Sequence, residues 1–278
     1  MLDRDDSTAT VRGGQFRLTY AAEPTGFADL RVPSGPGPHP VVILIHGGFW
    51  RVPYALDLMD GLGDDLARRG IASWNIEYRR IGDPGGGWPG TLIDVARAAD
   101  RLAEIGVAHG LDLARIITVG HSAGGHLALW LAARRRLPVG ALGAEPSVAR
   151  LTGAAALPLV GAISLAGVAD LGDAWRRNLG RGAVAELLGG SPEQVPERYA
   201  SADPARCLPL GIPQALVHGG RDEVVPLDIS RDYAAAVQRA GDRVRLRELP
   251  DADHFDVIDA ASPAWAAIVR EIDALLGG

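Results

Sequence analysis

Apolar positions along this chain alternate between two rhythms. Val41–Ile45 is a continuous apolar run, the pattern of a strand buried on both faces. Strand-like runs recur at Ile71–Tyr78, Arg115–Val119, Leu159–Ala166, Gln214–His218 and Arg243–Leu249. Between them lie segments of helical spacing: Tyr54–Arg69, stopped by Gly70; Thr91–Ile105, with Ile93, Ala96, Ala99 and Leu102 on one face; Ser122–Arg135; Leu227–Ala240; and Pro263–Leu276. Two shorter strand-like runs, Gln15–Tyr20 and Phe27–Val32, come first, after a polar stretch over 1–10 that reads as disordered. Alternation of strand and helix from Val41 onward predicts parallel pairing through right-handed crossovers, with helices on both faces. The expected fold is one α/β domain over 1–278, an open and mainly parallel sheet of about eight strands, with the two N-terminal runs as an edge hairpin. Residues 168–206 break the rhythm. They read as an irregular insertion, a short cap, with a helical piece around Ala183–Leu188.

The polar residues that stand out all follow strands, where ligands bind on such sheets. Gly120-His121-Ser122-Ala123-Gly124 joins a strand to a helix, the setting of a nucleophile elbow, whose turn leaves no room for a side chain at either outer glycine. A serine hydroxyl needs a base to take its proton, and the base needs an acid to fix its tautomer and stabilise its cation. The expected chain order is serine, acid, histidine. His39, His46, His109 and His121 do not lie downstream of Ser122. His126 sits on the same helix and is expected to point into packing, and His218 precedes the best acid, which leaves His254 as the base. Asp222 is the candidate acid, in a glycine-preceded turn after a strand; Asp170 follows the preceding strand and stands as an alternative. His46-Gly47-Gly48-Phe49-Trp50 can supply backbone donors to an oxyanion, with Ala123 N–H at the start of the elbow helix as a further donor. His46 itself reads as structural. Phe49, Trp50, Tyr54 and Trp88 lie on loops at the same end of the sheet, and Trp175 lies in the cap, so an aromatic-lined, compact substrate pocket is expected.

Composition narrows the chemistry. All 28 basic side chains are arginine, which excludes Schiff-base catalysis, a Walker-type lysine and a Ser-Lys dyad. A net charge of −6 argues against a nucleic-acid partner. No apolar run reaches the length of a membrane span, and the first residues carry no apolar core of a signal peptide. Cys207 is the only cysteine, which fits a reducing compartment; a cytoplasmic protein is expected. Asp251, Asp253 and Asp256 flank His254, but no second histidine stands at ligand spacing, so neither metal nor cofactor is expected. The expected partner is a small-molecule substrate, and homodimer formation stays open.

Together, strand–His46-Gly47-Gly48-Phe49-Trp50, Gly120-His121-Ser122-Ala123-Gly124-Gly125, Gly219-Gly220-Arg221-Asp222-Glu223-Val224-Val225-Pro226 and Asp253-His254-Phe255 resemble the α/β-hydrolase fold. More narrowly they resemble the branch of hormone-sensitive-lipase-like esterases and kynurenine (aryl)formamidases, from about Val41 to the C-terminus. The resemblance implies a Ser122-Asp222-His254 triad and an oxyanion hole of the Gly48, Phe49 and Ala123 amides. Tyr78-Arg79 is similar to the Tyr-Arg that follows the same strand in those esterases. Phe49 stands where the esterase branch has a third glycine, which is closer to the formamidases. The implied activity is metal-independent cleavage of a small ester or arylformamide through an acyl-enzyme. A non-catalytic small-molecule-binding protein on this fold and an exopeptidase-like hydrolase are the alternatives.

Overall fold

The computed structural model describes residues 14–137 and 157–277. The stretch 1–10 that the sequence predicts to be disordered lies outside them. The strands are β1 (Gly14–Thr19), β2 (Phe27–Val32), β3 (His39–Ile45), β4 (Ala72–Ile76), β5 (Leu111–His121), β6 (Gly161–Leu165), β7 (Gln214–Gly219) and β8 (Val244–Leu249). They form one eight-stranded sheet in the order β1-β2-β4-β3-β5-β6-β7-β8. β1 pairs with β2, and β2 with β4, antiparallel; every other neighbouring pair is parallel. The expected hairpin therefore exists and sits at one edge.

The longer helices are α1 (Asp60–Arg68), α2 (Gly90–Ile105), α3 (Ala123–Ala133), α4 (Leu171–Arg176), α5 (Ala183–Leu188), α6 (Pro196–Ala202), α7 (Leu227–Arg239) and α8 (Pro263–Leu276). The period-two pleat of β3 explains how both sheet faces are covered. Val41, Ile43 and Ile45 pack with α2, α3, α7 and the cap, while Val42 and Leu44 pack with α1 and α8. Each fully buried aliphatic side chain stabilises the fold by about 1.5–3 kcal/mol relative to exposure, and the central strands consist almost wholly of such residues.

Two expected elements differ in detail. The helix predicted over Tyr54–Arg69 begins late, as a 3₁₀ turn at Leu56–Met59 leading into α1, because the Glu77 carboxylate takes the Leu56 N–H at 3.1 Å. The insertion predicted as irregular carries α4 and α6 in addition to α5. The Asp170 carboxylate caps α4 by accepting from Asp173 N–H, and Pro196 opens α6.

Candidate active site

β5 ends at His121 and α3 begins at Ala123, which leaves Ser122 alone in the turn with φ 55° and ψ −118°. A left-handed serine costs about 1–3 kcal/mol and must be held by its surroundings. Its N–H donates to Leu165 O at 2.9 Å, and its carbonyl accepts from Val168 N–H at 3.2 Å. A β-carbon on Gly120 would lie 1.9 Å from Gly124 O, and one on Gly124 would lie 2.1 Å from Ile45 O. The two outer glycines of the motif are thus a steric condition of the turn.

His254 is carried on the loop after β8. Asp253 and Asp256 brace that loop: Asp253 Oδ1 accepts from Phe255 N–H and Asp256 N–H, and Asp256 Oδ2 accepts from Asp253 N–H. Asp251 pairs with Arg221. These carboxylates serve the loop, and among the described residues no three His, Cys, Asp or Glu side chains group as metal ligands would. His254 Nδ1 donates to Asp222 Oδ2 at 2.7 Å, so the proton sits on Nδ1 and Nε2 is the free basic nitrogen. Asp222 Oδ1 accepts from the N–H groups of Val224 and Val225, both at 2.8 Å. Burial by itself would raise the Asp222 pKa; hydrogen bonds from His218 and His254 outweigh it and hold the carboxyl well below the usual range. The alternative acid, Asp170, is spent on the α4 cap.

His218, which the sequence sets aside as a base, is a partner of Asp222. Fully buried, it places Nε2 3.2 Å from Asp222 Oδ2 and 2.9 Å from Val225 O, while Nδ1 accepts from the Ser230 hydroxyl at 2.7 Å. Its signal is its place at the end of β7, four residues before Asp222. His121 is engaged through one ring nitrogen. Its Nε2 donates to the His254 carbonyl at 2.8 Å, which ties the elbow to the loop that carries His254.

The glycine segment after β3 lies against the elbow. A β-carbon on Gly47 would sit 2.9 Å from Ser122 Cβ, and Gly48 has φ +109°. His46 is fully buried, as its structural reading requires, with Nδ1 donating to Gly47 O at 2.8 Å and Nε2 to Glu77 Oε1 at 3.0 Å. Tyr78 stacks on its ring at 4.3 Å and donates its hydroxyl to His46 O. Burial would raise the Glu77 pKa, but the His46 hydrogen bond and charge keep it lowered. A peptide unit is planar, with C=O and N–H opposed, so anchoring the Gly47 carbonyl also sets the direction of the Gly48 N–H. Ala123 is the first residue of α3, and its N–H has no partner within the helix. Arg79, beside Tyr78, forms a two-pronged pair with Asp94.

The aromatic residues do not gather as expected. Trp50 is wholly buried and donates its indole N–H to His126, so it belongs to the core rather than to a pocket wall. Tyr54 is 47% exposed and covers Gly48. Phe49 is half-buried against Gly180 of the cap, and Trp88 and Trp175 are half-buried on the core cluster. Leu187 and Leu188 are core residues. Arg51 joins the glycine segment to the cap, through Glu186 at 2.7 Å and Gly180 O at 2.6 Å. Phe255, unanticipated, is 54% exposed and stands edge-on to the His254 ring at 5.3 Å.

The BD-FAE family profile matches residues 29–237, a span that holds the glycine segment, the elbow and Asp222. The chain belongs to the BD-FAE family. Among curated proteins this BD-FAE chain is 27% identical over 248 residues to a probable isoprenylcysteine alpha-carbonyl methylesterase of Arabidopsis thaliana, covering 86% of this chain and 50% of that protein. It is 28% identical over 238 residues to esterase LipQ of Mycobacterium tuberculosis, covering 84% and 53%. The chain thus spans about half the length of the curated relatives it matches. A truncated carbohydrate esterase from gut microbiota superposes with TM-score 0.80 at 18% identity, covering 97% of this chain and 99% of that one. Esterase B of Lactobacillus rhamnosis superposes with TM-score 0.78 at 21% identity, covering 97% and 87%. These likenesses establish the α/β-hydrolase fold for the BD-FAE chain. No helix among the described residues is long and apolar enough to cross a membrane.

Proposed function

We propose that this chain is a metal-independent serine hydrolase that cleaves small esters. The observation that carries the reading is the Asp222–His254 hydrogen bond of 2.7 Å at the carboxyl end of the sheet, which also presents Ser122 in its left-handed turn. Ser122 Oγ attacks the ester carbonyl carbon and passes its proton to His254 Nε2. The N–H groups of Gly48, Phe49 and Ala123 receive the oxyanion. Collapse breaks the ester C–O bond, and the leaving oxygen takes the proton from His254 Nε2 to depart as the alcohol. Water, deprotonated by the same nitrogen, then cleaves the acyl-enzyme, and Ser122 leaves with its hydrogen. Asp222 stays ionised throughout and stabilises the imidazolium. The esterase names of the relatives support ester cleavage, and the single cysteine supports action in the cytoplasm.

Phe49 favours a short acyl group, because it stands in the proposed donor segment where a glycine would leave more room, and its ring rests on Gly180 of the cap. That same feature keeps an arylformamide, whose acyl group is a formyl, as the second reading. The deciding experiment is a turnover panel of p-nitrophenyl esters of rising acyl length, a feruloyl-type ester and N-formylkynurenine, each with and without a chelator. Short esters turned over equally well with chelator, and not at all by Ser122→Ala, are expected. Preference for N-formylkynurenine would move the substrate to the second reading, and activity lost to the chelator and restored by a divalent ion would overturn metal independence.

A further inference from the structure

The segment bearing the Gly48 and Phe49 donors is built from residues that disfavour its own backbone. Phe49 and Trp50 hold positive φ, 50° and 57°. Two consecutive non-glycine residues in this region cost about 1–3 kcal/mol each, so surrounding contacts must over-determine them. The main chain supplies two restraints, Arg51 N–H on Gly48 O at 3.0 Å and Ile81 N–H on Trp50 O at 2.6 Å. A further restraint comes from the Trp50 side chain. Trp50 Nε1–H donates to His126 Nδ1 at 3.2 Å, with the rings edge-on at 5.3 Å and 86°.

The tautomer of His126 follows from its partners. An indole nitrogen can only donate, so His126 Nδ1 carries no proton. Nε2 does, and donates to Ala202 O of α6 at 2.9 Å. Burial pushes the His126 pKa down to about 4, against the opposing Ala202 hydrogen bond, so the ring stays neutral and Nδ1 remains an acceptor. His126 lies one turn beyond Ser122 on α3, its N–H reaching Ser122 O at 3.3 Å. One helix therefore fixes the serine through its first turn and the glycine segment through its second. Packing alone does not require this arrangement: a leucine at 126 would also fill space against the indole, but it offers no acceptor.

We propose that His126 is a positioning residue for the oxyanion site: its Nδ1, acting through the Trp50 indole, holds Phe49 and Trp50 in the left-handed conformation that aims the Gly48 and Phe49 N–H groups at the carbonyl oxygen of an ester on Ser122. The proposal rests on the serine hydrolase reading above. Two near-isosteres separate the two hydrogen bonds of the ring. Asparagine at 126 keeps an oxygen close to the Nδ1 position and loses the donor to Ala202. Glutamine carries its amide out to the Nε2 position and loses the acceptor for Trp50.

The test measures kcat, KM and Tm of the unaltered chain, His126→Asn, His126→Gln, Trp50→Phe and the Trp50→Phe/His126→Gln pair, with p-nitrophenyl acetate. Both single His126 variants should lower Tm alike, since each loses one hydrogen bond. Their kcat should separate: His126→Asn within about threefold of the unaltered chain, His126→Gln lower by about tenfold or more, with KM held within about twofold. Trp50→Phe should lose as much as His126→Gln, and the pair no more than Trp50→Phe alone. Equal kcat in the Asn and Gln variants, or an unimpaired kcat in Trp50→Phe, would overturn the proposal. Should the Gln variant fail to fold, Trp50→Phe and His126→Asn decide it by the same criteria. Absence of ester turnover by the unaltered chain would overturn the hydrolase reading, and this proposal with it, before any variant is compared.

Discussion

At the residue scale, Asp222 differs from the other carboxylates at the carboxyl end of the sheet in being met on one oxygen by two imidazoles and on the other by two peptide N–H groups. Such a group is an acceptor at any working pH, which is what an orienting acid requires. Asp222→Asn should therefore lower kcat by up to about 10⁴-fold. Asp170→Ala should leave kcat near its original value and cost about 1 kcal/mol of stability, because it removes only a helix cap. Steady-state kinetics beside urea denaturation distinguish the two, and a crippled Asp170→Ala enzyme of normal stability would assign the acid to β6 instead of β7. Ser122→Ala should lose about 10⁴-fold or more in kcat with its Tm preserved, and turnover near the original rate in a clean preparation would remove Ser122 from the mechanism.

At the scale of elements, the glycines divide into those that a turn requires and those it does not. A β-carbon at Gly124 meets the backbone oxygens of Ile45 and His46. Gly124→Ala should push β3 and α3 apart and abolish both turnover and cooperative unfolding. Gly61, inside α1, has nothing within 4 Å of an added β-carbon. Gly61→Ala should stabilise by about 0.5–1 kcal/mol, read from the urea midpoint, since it only removes unfolded-chain freedom. The glycine segment and the cap form a second coupled pair of elements, joined by Arg51 and by the Phe49–Gly180 contact. If that contact limits acyl length, kcat/KM should fall steeply from acetyl to octanoyl esters, and Phe49→Gly should flatten the fall. An unaltered chain that prefers the octanoyl ester would overturn this account of the pocket without touching the proposed roles of Ser122, Asp222 and His254.

For the whole molecule, buried ionisable groups set the response to acid. Burial and the neighbouring His254 charge lower the His121 pKa to about 3, and burial lowers that of His126 to about 4. Both lie below the ordinary histidine value of about 6.5. Between these limits the unfolded chain binds protons that the folded chain does not, so stability falls as pH drops from about 6.5 toward 4. Asp203 works in the opposite direction. Burial, then the nearby Asp170 charge, raise its pKa to about 7, so its contribution is full below the unfolded value near 4 and is lost as pH rises to 7. Two histidines against one carboxyl leave a net loss on acidification. Tm should decline from pH 7 to pH 4.5, and a Tm that rises over that interval would contradict these assignments.

The periodicity of the chain was enough to place the parallel strands, the edge hairpin and the flanking helices, because burial of a pleated or helical face writes itself at fixed local spacing. The elbow was legible for a related reason, since the clash that demands Gly120 and Gly124 arises within a few residues or against the adjacent strand. Ser122, Asp222 and His254 each follow a strand, and a parallel sheet brings such positions to its carboxyl end. What local spacing could not carry was the choice of partners across the fold. Trp50 reads as a pocket residue beside its neighbours, yet its indole meets an imidazole 76 residues away and is buried. His218 reads as a strand residue until the turn after β7 folds Asp222 back onto it. The short cap helix α4 takes its N-terminal partners from Asp170 and from Asp203, which lies about 30 residues along the chain, an arrangement that exists only once the cap is packed. Patterns of burial are summed over many residues and survive in one dimension, whereas a hydrogen bond between two side chains depends on a distance and an angle that only the packed molecule defines.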